Sequence, residues 1–144
     1  MKVYIAARYS RKVEVSTIAA ALTAHGYTVT STWHDEPHSA DAQLADLTAD
    51  DLRMYANRDL LEIRMCYVLL FLSESDQSYN RRGGRHVEFG YALGQGKFIA
   101  VIGPLENIFH HLVGVYRHVD LDSFIKEWND GPDWAYIGHG PMRK

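Results

Sequence analysis

Residues 67–72 read "YVLLFL", a run that is apolar at every position. A half-buried strand alternates apolar with polar residues. A run buried on both faces is what the centre of a parallel sheet requires, with helices covering each side. Working outward, similar runs stand at Phe98–Ile102 ("FIAVI") and at Lys2–Ala7 ("KVYIAA"). After Ser10, Val15, Ile18, Ala19 and Leu22 recur at helical spacing, and the pattern stops at Gly26 behind His25. "YTVTST" (Tyr27–Thr32) reads as another strand, and the polar stretch from Trp33 to Leu44, which holds Pro37, as a loop. Thr48 with Asp51 three residues on resembles a helix start, opening a helix that runs to about Met65. A polar loop, Ser73 to Arg82, leads into a helix containing Glu88. After Pro104 come a short helix near Ile108–Leu112, a weak strand at Tyr116–Val119 and a last helix at Asp122–Trp128.

Strands alternating with helices imply βαβ crossovers and a sheet covered on both faces. The expected fold is α/β, a single-domain flavodoxin- or Rossmann-like three-layer sandwich over residues 1–129, its mostly parallel sheet having about five strands. Residues 130–144 form a tail rich in Gly and Pro, expected either to fray or to dock through Trp134 and Tyr136 on a neighbouring subunit. Such sheets bind ligands beyond the carboxyl ends of their strands, near the point where strand order reverses. Four loops reach that edge: Ala7–Arg11, Trp33–His38, Ser73–Glu88 and Gly103–Asn107.

Composition narrows the function classes. With 144 residues, 47% apolar and 23% charged, the chain has the size and balance of one globular domain. A formal charge of −3 supplies no general attraction to nucleic acid polymers or anionic membranes. No apolar run approaches the roughly 20 residues that span a bilayer. The opening "MKVYIAARYS" lacks the apolar core and cleavage site of a signal peptide. Cys66 is the only cysteine, so no internal disulfide forms and a cytoplasmic setting is expected. Without an accompanying His motif, Cys66 reads as a small core residue.

In "GGRHVEFGYALGQGK", Gly83 to Lys97, one residue conflicts with its surroundings. Val87, Phe89, Tyr91, Ala92 and Leu93 suit burial, whereas Glu88 does not. Placed in the first turn or so of its helix, Glu88 has two open roles. It complements the positive helix terminus, an effect worth about 0.3–1 kcal/mol, or that terminus keeps it ionised as a nucleophile. Gly83 and Gly84 allow either a tight turn or close approach of a ligand to the backbone.

The segment "VEFGYALGQGKFIAVIGP" resembles the signature of the nucleoside 2-deoxyribosyltransferase family, and "VYIAA" is similar to that family's first strand. Relatives include the 2′-deoxynucleoside 5′-phosphate N-hydrolases and phage-borne proteins. The resemblance implies cleavage of an N-glycosidic bond, in which a carboxylate stabilises or captures the cationic anomeric carbon, as in retaining glycosidases. It implies Glu88 as the nucleophile and Tyr4 as the residue orienting it. Asp59, in "YANRDLLEIRMC", matches the family's second acid, which assists the leaving base. Spacing alone leaves Asp50, Asp51 and Glu62 equally available. The resemblance also implies a homodimer or larger assembly, with Asn107 or His110 completing a neighbour's pocket, and a cytoplasm that is the host's if the protein is phage-borne.

Substrate class turns on phosphate. Arg8, Ser10 and Arg11 lie in the first loop, and Arg81, Arg82, Gly84 and Arg85 just before Glu88. Arginines beside a helix N-terminus make an anion site, though scattered solubilising charge gives the same count. The preferred expectation is cleavage of a 2′-deoxynucleoside 5′-monophosphate to free base and deoxyribose 5-phosphate. One alternative is transfer of deoxyribose between bases. Another is a nucleotide-sensing domain without catalysis. Trp33 either touches the base or covers the pocket. His34 and His38 are four apart, but Pro37 and the loop spoil a metal geometry, so no metal and no cofactor are expected. The glycines at Gly90, Gly94 and Gly96 make no dinucleotide fingerprint, since they lie inside and after a helix.

Overall fold

The computed structural model describes residues 1–39, 44–75 and 83–129. Expectations for Arg81, Arg82 and the tail at 130–144 lie outside the described residues. The chain alternates β1 (Lys2–Ala6), α1 (Lys12–Ala24), β2 (Thr28–Val29), α2 (Ala49–Met65), β3 (Val68–Leu72), α3 (Gly84–Gly94), β4 (Phe98–Ile102), β5 (Val115–His118) and α4 (Leu121–Asn129). The five strands are all parallel in the order β2-β1-β3-β4-β5. This is the α/β sandwich expected of the alternating pattern. Strand order reverses beside β1: the chain leaves it outward to β2, then crosses back to β3. The crevice beyond the carboxyl ends of β1 and β3 is therefore the place for a ligand.

Burial explains why β3 lies in the middle. Val68, Leu69, Leu70 and Phe71 are 0% exposed and Leu72 is 1% exposed, and each such side chain contributes about 1.5–3 kcal/mol on burial. Cys66 is a buried core residue, and burial pushes its thiol up to about 11. Among the described residues no helix is long and apolar enough to cross a membrane.

Local chemistry sets the boundaries that differ from expectation. β2 keeps only two residues of the expected six. Thr30 N–H still reaches the Val3 carbonyl at 2.8 Å, but the Ile5 N–H donates to the Ser31 hydroxyl at 3.2 Å. A side chain thus replaces the backbone ladder and turns the chain away from the sheet. The capping box at α2 forms as read: Asp51 N–H donates to Thr48 Oγ1 at 3.1 Å and Thr48 N–H to Asp51 Oδ2 at 3.3 Å. α1 starts at Lys12, after a 3₁₀ turn at Tyr9–Arg11 that contains Ser10. The element after Pro104 is a 3₁₀ turn, Ile108–His111, whose first N–H groups include Phe109 N–H donating to Asn107 Oδ1 at 2.9 Å.

Gly103 closes β4 at the ligand edge with φ 105°, and an added Cβ would stand 2.6 Å from Ser73 Oγ. That hydroxyl donates to the Ile102 carbonyl at 2.9 Å. Gly103→Ala is expected to destabilise the fold by about 1–3 kcal/mol, measured by denaturant unfolding. A change within error would show that the loop relaxes freely.

Candidate active site

Tyr4 lies on β1, fully buried, and its side chain points to the face covered by α3. Its hydroxyl donates to Glu88 Oε1 at 2.7 Å. Strand pleat and helix turn together produce this meeting. Tyr4 shares its face of β1 with Ala6, and Glu88 comes one turn into α3, just before Phe89, whose ring packs edge-on to Phe71 of β3.

Glu88 is not in the first turn of α3, which holds no acidic residue. This corrects the helix-terminus reading, because that field fades beyond the first turn. Its electrostatics are corrected with it. Burial is the main influence and pushes the Glu88 carboxyl up to about 8. Tyr4's hydrogen bond and Arg58 act downward, and the charges of Asp59 and Glu62 act upward. The phenol of Tyr4 is itself raised, by burial first and then by Glu88 and Asp59. Tyr4 therefore stays protonated and serves as a donor.

Asp59 and Glu62 approach from α2. Asp59 is pushed up to about 6, chiefly by burial, against the opposing pull of Arg58. Arg58 joins the acids: its Nη2 lies 2.6 Å from Glu36 Oε1 and 2.7 Å from Asp59 Oδ1, and its Nε lies 3.9 Å from Glu62. Burial opposes the Arg58 charge, but Asp59 and Glu36 outweigh it and raise the guanidinium. Glu62 accepts from the Thr32 N–H at 3.0 Å and from its hydroxyl. Of the acids that spacing left open, Asp51 is used in the capping box and Asp50 pairs with Arg53 at 2.6 Å at the exposed start of α2. Asp59 lies eight or nine residues further along α2, about 12–14 Å along the helix axis.

Glu36, Arg58 and Thr32 were not legible as site residues. The Arg58–Glu62 pair has i,i+4 spacing on a helix, a signal that was available. Glu36 had none, because its loop reaches α2 only through the fold. That loop is anchored on several sides. Tyr9 Oη donates to Glu36 Oε2 at 3.2 Å, and Lys12 Nζ donates to the carbonyls of Glu36 and His38. His38 meets Tyr55 Oη at 3.0 Å, whereas His34 Nε2 meets the Ser31 carbonyl at 3.0 Å.

Other expected site residues fall in several places. Trp33 is buried, its indole N–H donating to the Ile5 carbonyl at 2.8 Å, so it covers the end of β1. Ser10 is exposed. Arg8 and Arg11 converge on Glu74, at 3.9 and 3.2 Å. Arg85 is buried and grips Glu106 through both terminal nitrogens, with Nη2 at 2.9 Å from Oε1. The sequence had grouped it with the phosphate arginines; its guanidinium instead ties α3 to the loop after β4. Gly83 takes φ 75° ahead of α3, which explains that glycine by the turn, and Gly84 opens the helix with space around it. His110, expected at a neighbour's pocket, is buried inside its own subunit, its ring 4.9 Å from both Phe71 and Phe89. Asn107 remains partly exposed as the cap of the 3₁₀ turn.

The architecture is shared with solved nucleoside 2-deoxyribosyltransferase-like proteins. Similarity to the 2-deoxyribosyltransferase from Bacillus psychrosaccharolyticus has a TM-score of 0.65 at 15% identity, covering 95% of this chain and 96% of that one. For the Clostridium botulinum CMP N-glycosidase BcmB the TM-score is 0.57 at 15% identity, covering 90% and 98%. For BlsM it is 0.55 at 18% identity, covering 91% and 94%. No family model and no curated protein matches the sequence. At such identities the likeness is one of fold.

The raised Glu88 carboxyl makes stability depend on pH. Folded protein keeps a proton that the unfolded chain loses above about 4.5, so stability falls as pH rises from there through about 8. Glu88→Gln is expected to be more stable than wild type by about 1–3 kcal/mol above that window, and equal to it below. Denaturant unfolding across the pH range measures the gap; a gap independent of pH would show that Glu88 is not desolvated.

Proposed function

We propose that this protein cleaves the N-glycosidic bond of a 2′-deoxynucleoside 5′-monophosphate, releasing free base and deoxyribose 5-phosphate. The observation that carries the reading is the 2.7 Å bond from buried Tyr4 to Glu88, within reach of the Asp59 charge. A carboxylate whose charge burial disfavours, oriented by a donor that cannot ionise, suits attack on or stabilisation of a cationic C1′. Asp59 assists the leaving base as a proton donor. As positive charge builds at C1′, the ionised form of Glu88, which burial disfavours, becomes favoured, so its stabilisation is strongest at the transition state.

The phosphate part of the reading rests on the first loop and α3. Arg8 and Arg11 stand at the crevice edge, and the N-cap of α3 is Gly83, which has no side chain to cap the helix, so its N-terminus suits an anion. The similarity to a CMP N-glycosidase agrees with a nucleotide substrate. A second reading is transfer of deoxyribose between bases, favoured by the TM-score of 0.65 to a 2-deoxyribosyltransferase. The two differ in the acceptor, water or a base, for the same sugar-bound intermediate.

Chromatography of the common deoxy- and ribonucleoside monophosphates, and of the unphosphorylated nucleosides, tests the proposal. Free base should appear from 2′-deoxynucleoside monophosphates, and Glu88→Ala should lower the rate on the order of 10³-fold. New nucleoside formed with an added base, without net sugar release, would establish the transferase instead. Intact substrates throughout would leave a nucleotide-binding domain.

The pH profile is a separate test. Glu88 at about 8 and Asp59 at about 6 act as a coupled pair; between those values the pair holds one proton, mostly on Glu88, and the competent form is the minor one that carries it on Asp59. kcat/KM should therefore be bell-shaped, with limbs near these two values. Tyr4→Phe removes the bond that favours ionised Glu88. It should lower kcat/KM about 10- to 100-fold and move the upper limb to higher pH. A lower rate with both limbs unmoved would assign Tyr4 to packing alone.

A further inference from the structure

Away from the Tyr4–Glu88 pair, one carboxylate stands where the proposed substrate brings an anion. Arg8 and Arg11 follow β1, and Glu74 follows β3 by two residues. β1 and β3 are adjacent and parallel, so these loops leave the sheet side by side at the crevice. Nη1 of Arg8 lies 3.9 Å from Glu74 Oε2, and Nη1 of Arg11 lies 3.2 Å from Glu74 Oε1. Each oxygen of one carboxylate thus faces a different guanidinium. Arg11 is held in place as well, by the Ser73 carbonyl at 3.1 Å and by Glu14 at 2.7 Å through both Nε and Nη2. The Glu74 side chain is only 14% exposed.

Two guanidinium groups presented to a pair of oxygens form the arrangement that binds phosphate. We infer that Glu74 is an internal competitor for the 5′-phosphate: its carboxylate occupies the position between Arg8 and Arg11 and must withdraw before a phosphate takes its place. The inference rests on the monophosphate reading above. Glu74 then has two effects. It keeps both arginines oriented before substrate arrives, and it opposes the incoming dianion with a like charge. The identity of residue 74 therefore sets how strongly the site prefers a phosphorylated sugar over a bare one. Gln at this position keeps the shape and one acceptor oxygen for Arg11 but removes the charge, whereas Asp keeps the charge.

Calorimetry on the full chain decides the matter, with deoxyribose 5-phosphate, deoxyribose and inorganic phosphate as probes. In Glu74→Gln, the ratio of affinities for deoxyribose 5-phosphate over deoxyribose should rise about tenfold, and inorganic phosphate should tighten similarly. Glu74→Asp should stay near wild type, and adding Arg8→Gln to Glu74→Gln should cancel the gain. An unchanged or weaker phosphate affinity in folded Glu74→Gln, as judged by circular dichroism, would overturn the inference. So would a gain that survives loss of Arg8. Base release followed in parallel separates this from the reaction itself. Base release without a phosphate gain in Glu74→Gln rejects the competitor and keeps the glycosidase, and a phosphate gain without base release does the reverse.

Discussion

The Glu88 carboxylate lies in a place that disfavours its charge, and a single strong hydrogen bond from Tyr4 holds it there. Burial raises its pKa to about 8, and the donor opposing that shift is a phenol too buried to ionise. Keeping these two groups 2.7 Å apart requires β1 inside the sheet, beside β3, and α3 laid across it. The all-apolar β3 between β1 and β4 makes that possible, since a strand buried on both faces lets helices pack on each side.

Around this pair the charges are unevenly balanced. Glu36, Asp59 and Glu62 gather about Arg58, which closes the loop after β2 onto α2. Removing Arg58 would leave three half-buried carboxylates without a counter-charge, which costs more than the pairs contribute when intact. The loop is consequently held to the site by the same side chains that set its electrostatics. At the crevice rim, Glu74 stands between Arg8 and Arg11, and Arg11 is also paired with Glu14.

Much of the architecture was legible. The apolar runs at β1, β3 and β4, the capping box at Thr48 and the helical spacing in α1 depend on neighbours in the chain, and periodicity records such neighbours directly. β2 was misjudged in length because its ladder ends on a side chain, Ser31, twenty-six residues from its partner Ile5. The site was legible in part. Glu88 stood out as a polar residue in an apolar segment, yet its distance from the helix terminus and the direction of its pKa did not follow from position alone. Arg85 looked like its neighbouring arginines in sequence and differs from them by being buried on Glu106.

By itself, the sequence determined the alternation of strands and helices, the central place of β3 and the anomaly at Glu88, because burial pattern and propensity act over a few residues. The tertiary structure alone decided which acid meets which base. It brought Tyr4 to Glu88 across 84 positions, Glu36 to Arg58 across 22, and Arg8 and Arg11 to Glu74. Electrostatic energy falls with distance in space and strengthens where water is excluded. Both quantities exist only once the sheet and its helices are assembled.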